Sequence, residues 1–376
     1  MPSKECSLCD LPITDKNDSK EHLIPNAIGG RKRIAGFICT TCNSKSGENW
    51  DAELASQLNP LSLFFGITRE RGVVPSQVIE TTGGGKVQLN PDGRMGLAKP
   101  TYEEASHDSG IKVSINARST KEAKKMLAGL KRKFPQIDLE KILADVKAQS
   151  HYPDDMIKFA LSLGGHKAGR SIVKTCLALA VESGVNPKSC EAARGYLTKS
   201  DGEACFGYYY ERDLVVNRPE GVVFHCVAVS GNPDTKQLLG YVEYYSVWRM
   251  VVCLSNQYEG DSFSRTYALD PISGKEIDME VQLSLSQEDI AASYRYERIP
   301  DGSIVNAFDK VIPIGMERRY QSEKDRVIEE AVQYASKNCG AQEGQTMTEE
   351  QKRKYVELLM EKVTPFIAHQ LRKPKI

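Results

Sequence analysis

Cys6-Ser7-Leu8-Cys9 and Cys39-Thr40-Thr41-Cys42 bracket a loop that contains Glu21-His22-Leu23-Ile24-Pro25-Asn26-Ala27-Ile28-Gly29-Gly30-Arg31, and the second pair runs straight into Asn43. Twenty-nine residues separate the two Cys-x-x-Cys pairs. Two such knuckles offer four soft thiolates, the donor set of a tetrahedral structural Zn2+ site; unrelated thiol pairs or a redox dithiol are the alternatives. The surrounding composition favours zinc. Few large apolar side chains precede Trp50, so the segment buries too little to fold without a staple. Beyond it, Trp50, Leu54 and Leu58 fall at helical spacing and Asn59-Pro60 reads as a stop, which sets a first domain at residues 1–60.

As a set, the acidic-His-x-x-Pro strand, the Gly-Gly turn and the Cys-x-x-Cys-Asn entry into a helix resemble the HNH endonuclease family, in the subgroup whose ββα-metal core is held by four zinc-bound cysteines. The resemblance covers about residues 3–58, with Gly47 and Asp51 also matching the helix that follows. It implies structural zinc on Cys6, Cys9, Cys39 and Cys42, His22 as general base, and Glu21 and Asn43 as holders of a catalytic Mg2+ or Mn2+. One feature departs from the family pattern. The middle asparagine expected near Ile34 is absent from Arg31-Lys32-Arg33-Ile34-Ala35-Gly36-Phe37, so another group, with Asn26 as the candidate, has to orient His22.

The residue types suit the implied reaction. Phosphodiester hydrolysis needs a base to activate water and a cation to neutralise charge on the phosphate and the leaving oxygen. An imidazole accepts a proton near neutral pH, and hard oxygen donors suit Mg2+ or Mn2+. Adjacent strand residues point to opposite faces, so Glu21 and His22 reach one site only if the strand twists or the metal lies over its edge.

After residue 60 the pattern changes twice. A β connector and helical region is expected over 61–200, with strands between Val73 and Ala98 and from Ile111 to Ile115. Helices are expected from Ser119 to Leu130, Asp138 to Ala148, Ala168 to Glu182 and Pro187 to Leu197. Residues 201–376 read as an antiparallel sheet between Phe206 and Val281, followed by charged helices at Ser322–Lys337 and Thr348–Leu371. The run Gly240–Leu254 is its central strand or strand pair. The fold class is therefore α+β, a zinc-stapled ββα module followed by a mixed helical and antiparallel-sheet region.

Fifty basic and fifty acidic side chains cancel, so a polyanion has to be held by local patches. Two are present: Arg31, Lys32 and Arg33 after the Gly-Gly turn, and Lys121, Lys124, Lys125, Lys131, Arg132 and Lys133 around one helix, each readable as phosphate contacts or as a solvated face. Tyr208, Tyr209, Tyr210 and the aromatics from Tyr241 to Trp248 could stack bases but fit a sheet core better. His225 reads as a packed or surface strand histidine. Of ten cysteines, six are scattered singly, which fits buried thiols in a reducing compartment, and no apolar run is long enough to cross a bilayer, so a cytoplasmic protein is expected. The function expected is metal-dependent cleavage of DNA, in the setting of restriction or phage defence. Two other readings stand beside it: a noncatalytic zinc-ribbon module that binds nucleic acid, and a nuclease effector gated by a ligand-sensing C-terminal domain. A homo-oligomer and a ligand or protein trigger are left open.

Overall fold

A computed structural model describes residues 4–107, 110–144, 152–153, 155–342 and 344–372. In chain order, a short hairpin, β1 (Glu21–His22) and β2 (Arg33–Ile34), is followed by α1 (Thr40–Ser46), a π turn at Gly47–Asp51 and α2 (Ala52–Phe65). Strands β3 (Gln77–Thr81), β4 (Lys86–Leu89), β5 (Met95–Leu97), β6 (Thr101–His107) and β7 (Gly110–Asn116) precede α3 (Thr120–Lys133), α4 (Leu139–Ala144) and β8 (Ile157–Lys158). Then come α5 (Gly165–Glu182), α6 (Glu191–Thr198), and strands β9 (Phe206–Tyr208), β10 (His225–Asn232), β11 (Gln237–Tyr244), β12 (Trp248–Ser255), β13 (Phe263–Leu269) and β14 (Glu276–Ile277). Helices α7 (Gln287–Tyr294), α8 (Ser303–Asn338) and α9 (Glu349–Arg372) close the chain. Both ββα module and antiparallel sheet are thus present, as the α+β reading requires.

The chain forms two compact units, one of residues Met1–Pro75 with Ala160–Arg318, the other of Ser76–Phe159 with Arg319–Ile376. The N-terminal module therefore shares a unit with the large sheet, although their sequences are separated by more than a hundred residues. That six-stranded sheet is antiparallel in the order β14-β13-β10-β11-β12-β9. Strands β11 and β12 are buried along their whole length, and the charges they carry inward pair with each other, Arg249 Nε lying 3.3 Å from Glu243 Oε1. The expected central run resolves into a strand pair, because Tyr245 and Ser246 both take positive φ (57° and 58°) and Val247 N–H bonds back to Tyr244 C=O at 3.1 Å, the backbone of a type I′ hairpin turn. The tyrosines weighed as base-stacking groups, Tyr208 to Tyr210 and Tyr241 to Tyr245, lie in the core.

The second unit carries a four-stranded sheet in the order β5-β4-β3-β8 and a hairpin of β6 and β7. Its helix α3 opens on a cap in which Ser119 accepts from Glu122 N–H, as the capping-box pattern predicts. For α4, residues 145–148 of the expected span lie outside the described residues.

Two expectations need correction. Asn59-Pro60 does not stop α2, which continues to Phe65 and ends at Gly66 in the left-handed conformation. A proline inside a helix costs about 3 kcal/mol. Burial of Leu61, Leu63 and Phe65, all but inaccessible to water, offsets that cost at about 1.5–3 kcal/mol per side chain. Similarly α8 begins at Ser303 rather than near 322, because Ala307 and Val311 are buried and Gly315 admits Phe64 where a Cβ would meet its ring at 2.2 Å.

Candidate active site

Strands β1 and β2 pair antiparallel with Glu21 opposite Ile34 and His22 opposite Arg33. The turn between them depends on glycine: Gly29 has φ 99° and packs on Pro271, and a Cβ on Gly30 would fall 1.7 Å from Ile24 O. Ahead of the hairpin and at the start of α1, the sulfur atoms of Cys6, Cys9, Cys39 and Cys42 all lie within 4.8 Å of one another. Cys9 Sγ and Cys39 Sγ are 3.8 Å apart. Metal–sulfur bonds of about 2.3 Å in a tetrahedron imply a sulfur–sulfur edge of about 3.8 Å, so the donors fit Zn2+. The backbone supports the cluster, since Cys39 N–H donates to Cys6 Sγ at 3.3 Å. Burial, reinforced by the neighbouring thiols, pushes the Cys42 thiol well above its ordinary value. Four thiolates at this spacing therefore call for a cation.

Glu21 and His22 face opposite sides, as strand alternation dictates. Glu21 is buried and its Oε1 accepts from Lys174 Nζ at 2.5 Å; Asp51 Oδ2, carried in by the π turn, accepts from the same ammonium at 2.5 Å. Asp51 Oδ1 also takes a 2.5 Å hydrogen bond from Ser171 Oγ. Burial opposes the Lys174 charge, but Asp51 and Glu21 outweigh it and hold its pKa above the usual lysine value. This triad, with Lys174 and Glu21 buried and Asp51 half-buried, joins the N-terminal module to α5.

His22 is partly exposed, and its Nε2 lies 2.7 Å from Glu70 Oε2. Arg33 Nη2 donates to Glu70 Oε1 at 2.7 Å and Arg33 Nε approaches His22 Nε2 at 3.4 Å. The hydrogen bond with His22, followed by that from Arg33, holds the Glu70 carboxyl down at about 2. Asn26 supports this carboxylate: its Oδ1 accepts from Glu70 N–H at 2.9 Å and Arg71 N–H at 3.3 Å, and its Nδ2 donates to Arg71 O at 3.1 Å. Asn43 lies in the first turn of α1, where its N–H donates to Cys39 O at 2.9 Å.

Of the expected phosphate contacts, those beside the Gly-Gly turn are tied to protein. Arg31 bonds Thr68, Lys32 pairs with Glu182 at 3.0 Å and lies over the Tyr267 ring, and Arg33 is spent on Glu70. On α3, Lys124, Lys125, Lys131 and Arg132 are exposed, while Lys133 pairs with Glu104 at 2.5 Å. His225 is fully buried. Its Nδ1 accepts from Tyr245 N–H at 3.1 Å, which leaves Nε2–H to donate to Ile28 O at 2.8 Å, so the sheet grips the module just before its Gly-Gly turn. Tyr245 adds a 2.7 Å hydroxyl contact with Ser62 on α2.

Sequence reading missed Lys174 and Glu70. A lysine inside the apolar run Ile172-Val173-Lys174-Thr175-Cys176 was a usable signal, because a buried ammonium requires acidic partners. Glu70, in Thr68-Arg69-Glu70-Arg71, carries none.

Residues 6–59 match the family model for HNH endonuclease. No curated protein and no solved structure matches the chain. The HNH match spans the cysteine cluster, the β1–β2 hairpin and most of α2. Among the described residues, no helix is long and apolar enough to cross a membrane.

Proposed function

We propose that this chain is a divalent-cation-dependent endonuclease that hydrolyses phosphodiester bonds in DNA. The observation that carries the reading is the HNH match over a hairpin that presents a partly exposed His22 and is bracketed in the chain by the four clustered cysteines. In this reading His22 takes the proton from the attacking water. Glu21 and Asn43 offer the oxygen donors that would hold Mg2+ or Mn2+, an ion that opposite-facing Glu21 and His22 could share only over the edge of β1, and the ion when bound neutralises charge on the scissile phosphate and leaving oxygen. Zinc on the four cysteines keeps the hairpin and α1 in register. The exposed cations of α3 serve as sequence-independent phosphate contacts, with Arg31, Lys32 and Arg33 shaping the hairpin that faces the cut site. We place the activity in restriction or phage defence, and in the cytoplasm, where ten free cysteines are chemically compatible with the compartment.

One observation favours a gated form of this activity. Lys174 already engages Glu21 Oε1, so full cation binding calls for that carboxylate to be shared or released. A ligand or partner that displaces Lys174 would raise cleavage.

The test is incubation of the full chain with supercoiled plasmid, linear duplex and RNA, with and without Mg2+ or Mn2+. DNA cleavage is expected only with the metal. His22→Ala should lower its rate at least about a hundredfold, the usual lower range for a general base, and leave zinc content and the thermal transition unchanged. DNA binding with no cleavage under any condition favours the noncatalytic zinc module.

A further inference from the structure

The HNH match ends at residue 59, yet the side chain that meets the imidazole of His22 comes from residue 70. A carboxylate 2.7 Å from an imidazole nitrogen accepts its hydrogen, which fixes the tautomer. His22 therefore carries its proton on Nε2, and its Nδ1, which has no hydrogen-bond partner among the described residues, presents the lone pair. Arg33 Nε, a donor, could bond Nε2 only if that nitrogen were unprotonated; its contact is the longer one at 3.4 Å, and an unprotonated Nε2 would set its lone pair against the carboxylate oxygen at 2.7 Å. Arg33 instead holds the second oxygen of Glu70 at 2.7 Å, so the carboxylate is oriented by both oxygens.

The backbone that carries Glu70 is equally constrained. Asn26 spends its whole amide on residues 70 and 71, accepting two N–H groups and donating to one C=O. Asn26 lies four residues after His22 in the same module, so the loop bearing Glu70 is pinned to the element that bears its target. This pattern supplies what the missing asparagine of the second strand would otherwise have to supply.

We propose that Glu70 is the positioning residue for His22, holding Nε2–H so that Nδ1 is the nitrogen facing the water to be activated, with Asn26 fixing Glu70 in place. The assignment rests on the nuclease reading for its catalytic part. Its geometric part stands on the contacts themselves. Such orientation is worth a large factor, since a misplacement of about 1 Å can cost on the order of a hundredfold in rate.

The experiment has two arms on the full, zinc-loaded chain. In the first, nitrogen NMR of histidine-labelled protein without Mg2+, at a pH where imidazole is neutral, reads the tautomer of His22, with its signals assigned by their disappearance in His22→Ala. The wild type is expected to show Nε2–H alone, and Glu70→Ala and Asn26→Ala to show a mixture. In the second arm, DNA cleavage by Glu70→Ala should fall on the order of a hundredfold in kcat with KM little changed. A pure Nδ1–H tautomer in the wild type, or a tautomer and kcat untouched by Glu70→Ala, overturns the proposal. A wild type without nuclease activity refutes the catalytic part together with the nuclease reading, while the first arm still decides whether Glu70 holds the imidazole.

Discussion

Acidification should loosen the grip of the sheet on the HNH-type module through His225. Burial is the leading influence on this imidazole; the hydrogen bond to Ile28 and the charge of Asp270 oppose it and are outweighed, so its pKa falls from 6.5 to about 4. The folded protein keeps His225 neutral while the unfolded chain protonates it near 6.5, so between these values the unfolded state binds more protons. Stability is therefore complete above about pH 6.5 and is lost as pH falls from there toward about 4. At about 1.4 kcal/mol per tenfold change the whole interval is worth about 3 kcal/mol, of which about 2 kcal/mol is lost between about pH 7 and about pH 5.

Urea unfolding followed by tryptophan fluorescence measures this, because both tryptophans, Trp50 and Trp248, belong to the unit that contains His225. The informative quantity is a double difference. His225→Gln cannot titrate, and it lowers stability at neutral pH by about 1–3 kcal/mol if the Tyr245 N–H or Ile28 C=O is left without a partner. With zinc in the buffer throughout, the wild type should lose about 2 kcal/mol more than the variant on going from about pH 7 to about pH 5. Equal losses in the two proteins would show that His225 is not the group responsible and that its buried neutral state carries no linkage.

Three further outcomes follow from the same structure. Elemental analysis should find a single zinc per chain, and Cys39→Ser or strong chelation should remove it and expose the segment around the cysteines to proteolysis, since the four sulfurs link the residues ahead of β1 to the start of α1. Lys174→Met leaves the buried Glu21 and the half-buried Asp51 without a counter-charge, so unfolding by urea should show a loss of about 3–5 kcal/mol, with part of it recovered by adding Glu21→Gln. An unchanged midpoint in Lys174→Met would contradict the triad. Replacing Lys124, Lys125 and Lys131 by Gln should weaken duplex binding equally for unrelated sequences and reduce the slope of log affinity against log salt by about 0.9 for each phosphate no longer neutralised; an unaltered slope removes α3 from the DNA surface.

How far the sequence reaches depends on the range of the interaction being read. Cys6, Cys9, Cys39 and Cys42 were legible because zinc knuckles are local in spacing and a metal tolerates few donor sets. The strands of the large sheet were legible because buried antiparallel strands write their environment as apolar runs between turn residues. Pro60 misled for a reason outside its neighbourhood, since the burial of Leu61, Leu63 and Phe65 carries the helix through it. The pairings that define the candidate site had almost no local signature: Lys174 in its apolar run called for an acidic partner without saying which, and Glu70 and His225 gave no sign of theirs. Lys174 meets Glu21 across 153 residues, Glu70 meets His22 across 48, and His225 meets Ile28 across 197. Charge and hydrogen-bonding capacity can be counted from a sequence, but which partners satisfy each other is decided when the chain is packed, because a buried polar group takes whatever complementary group the fold brings within about 3 Å.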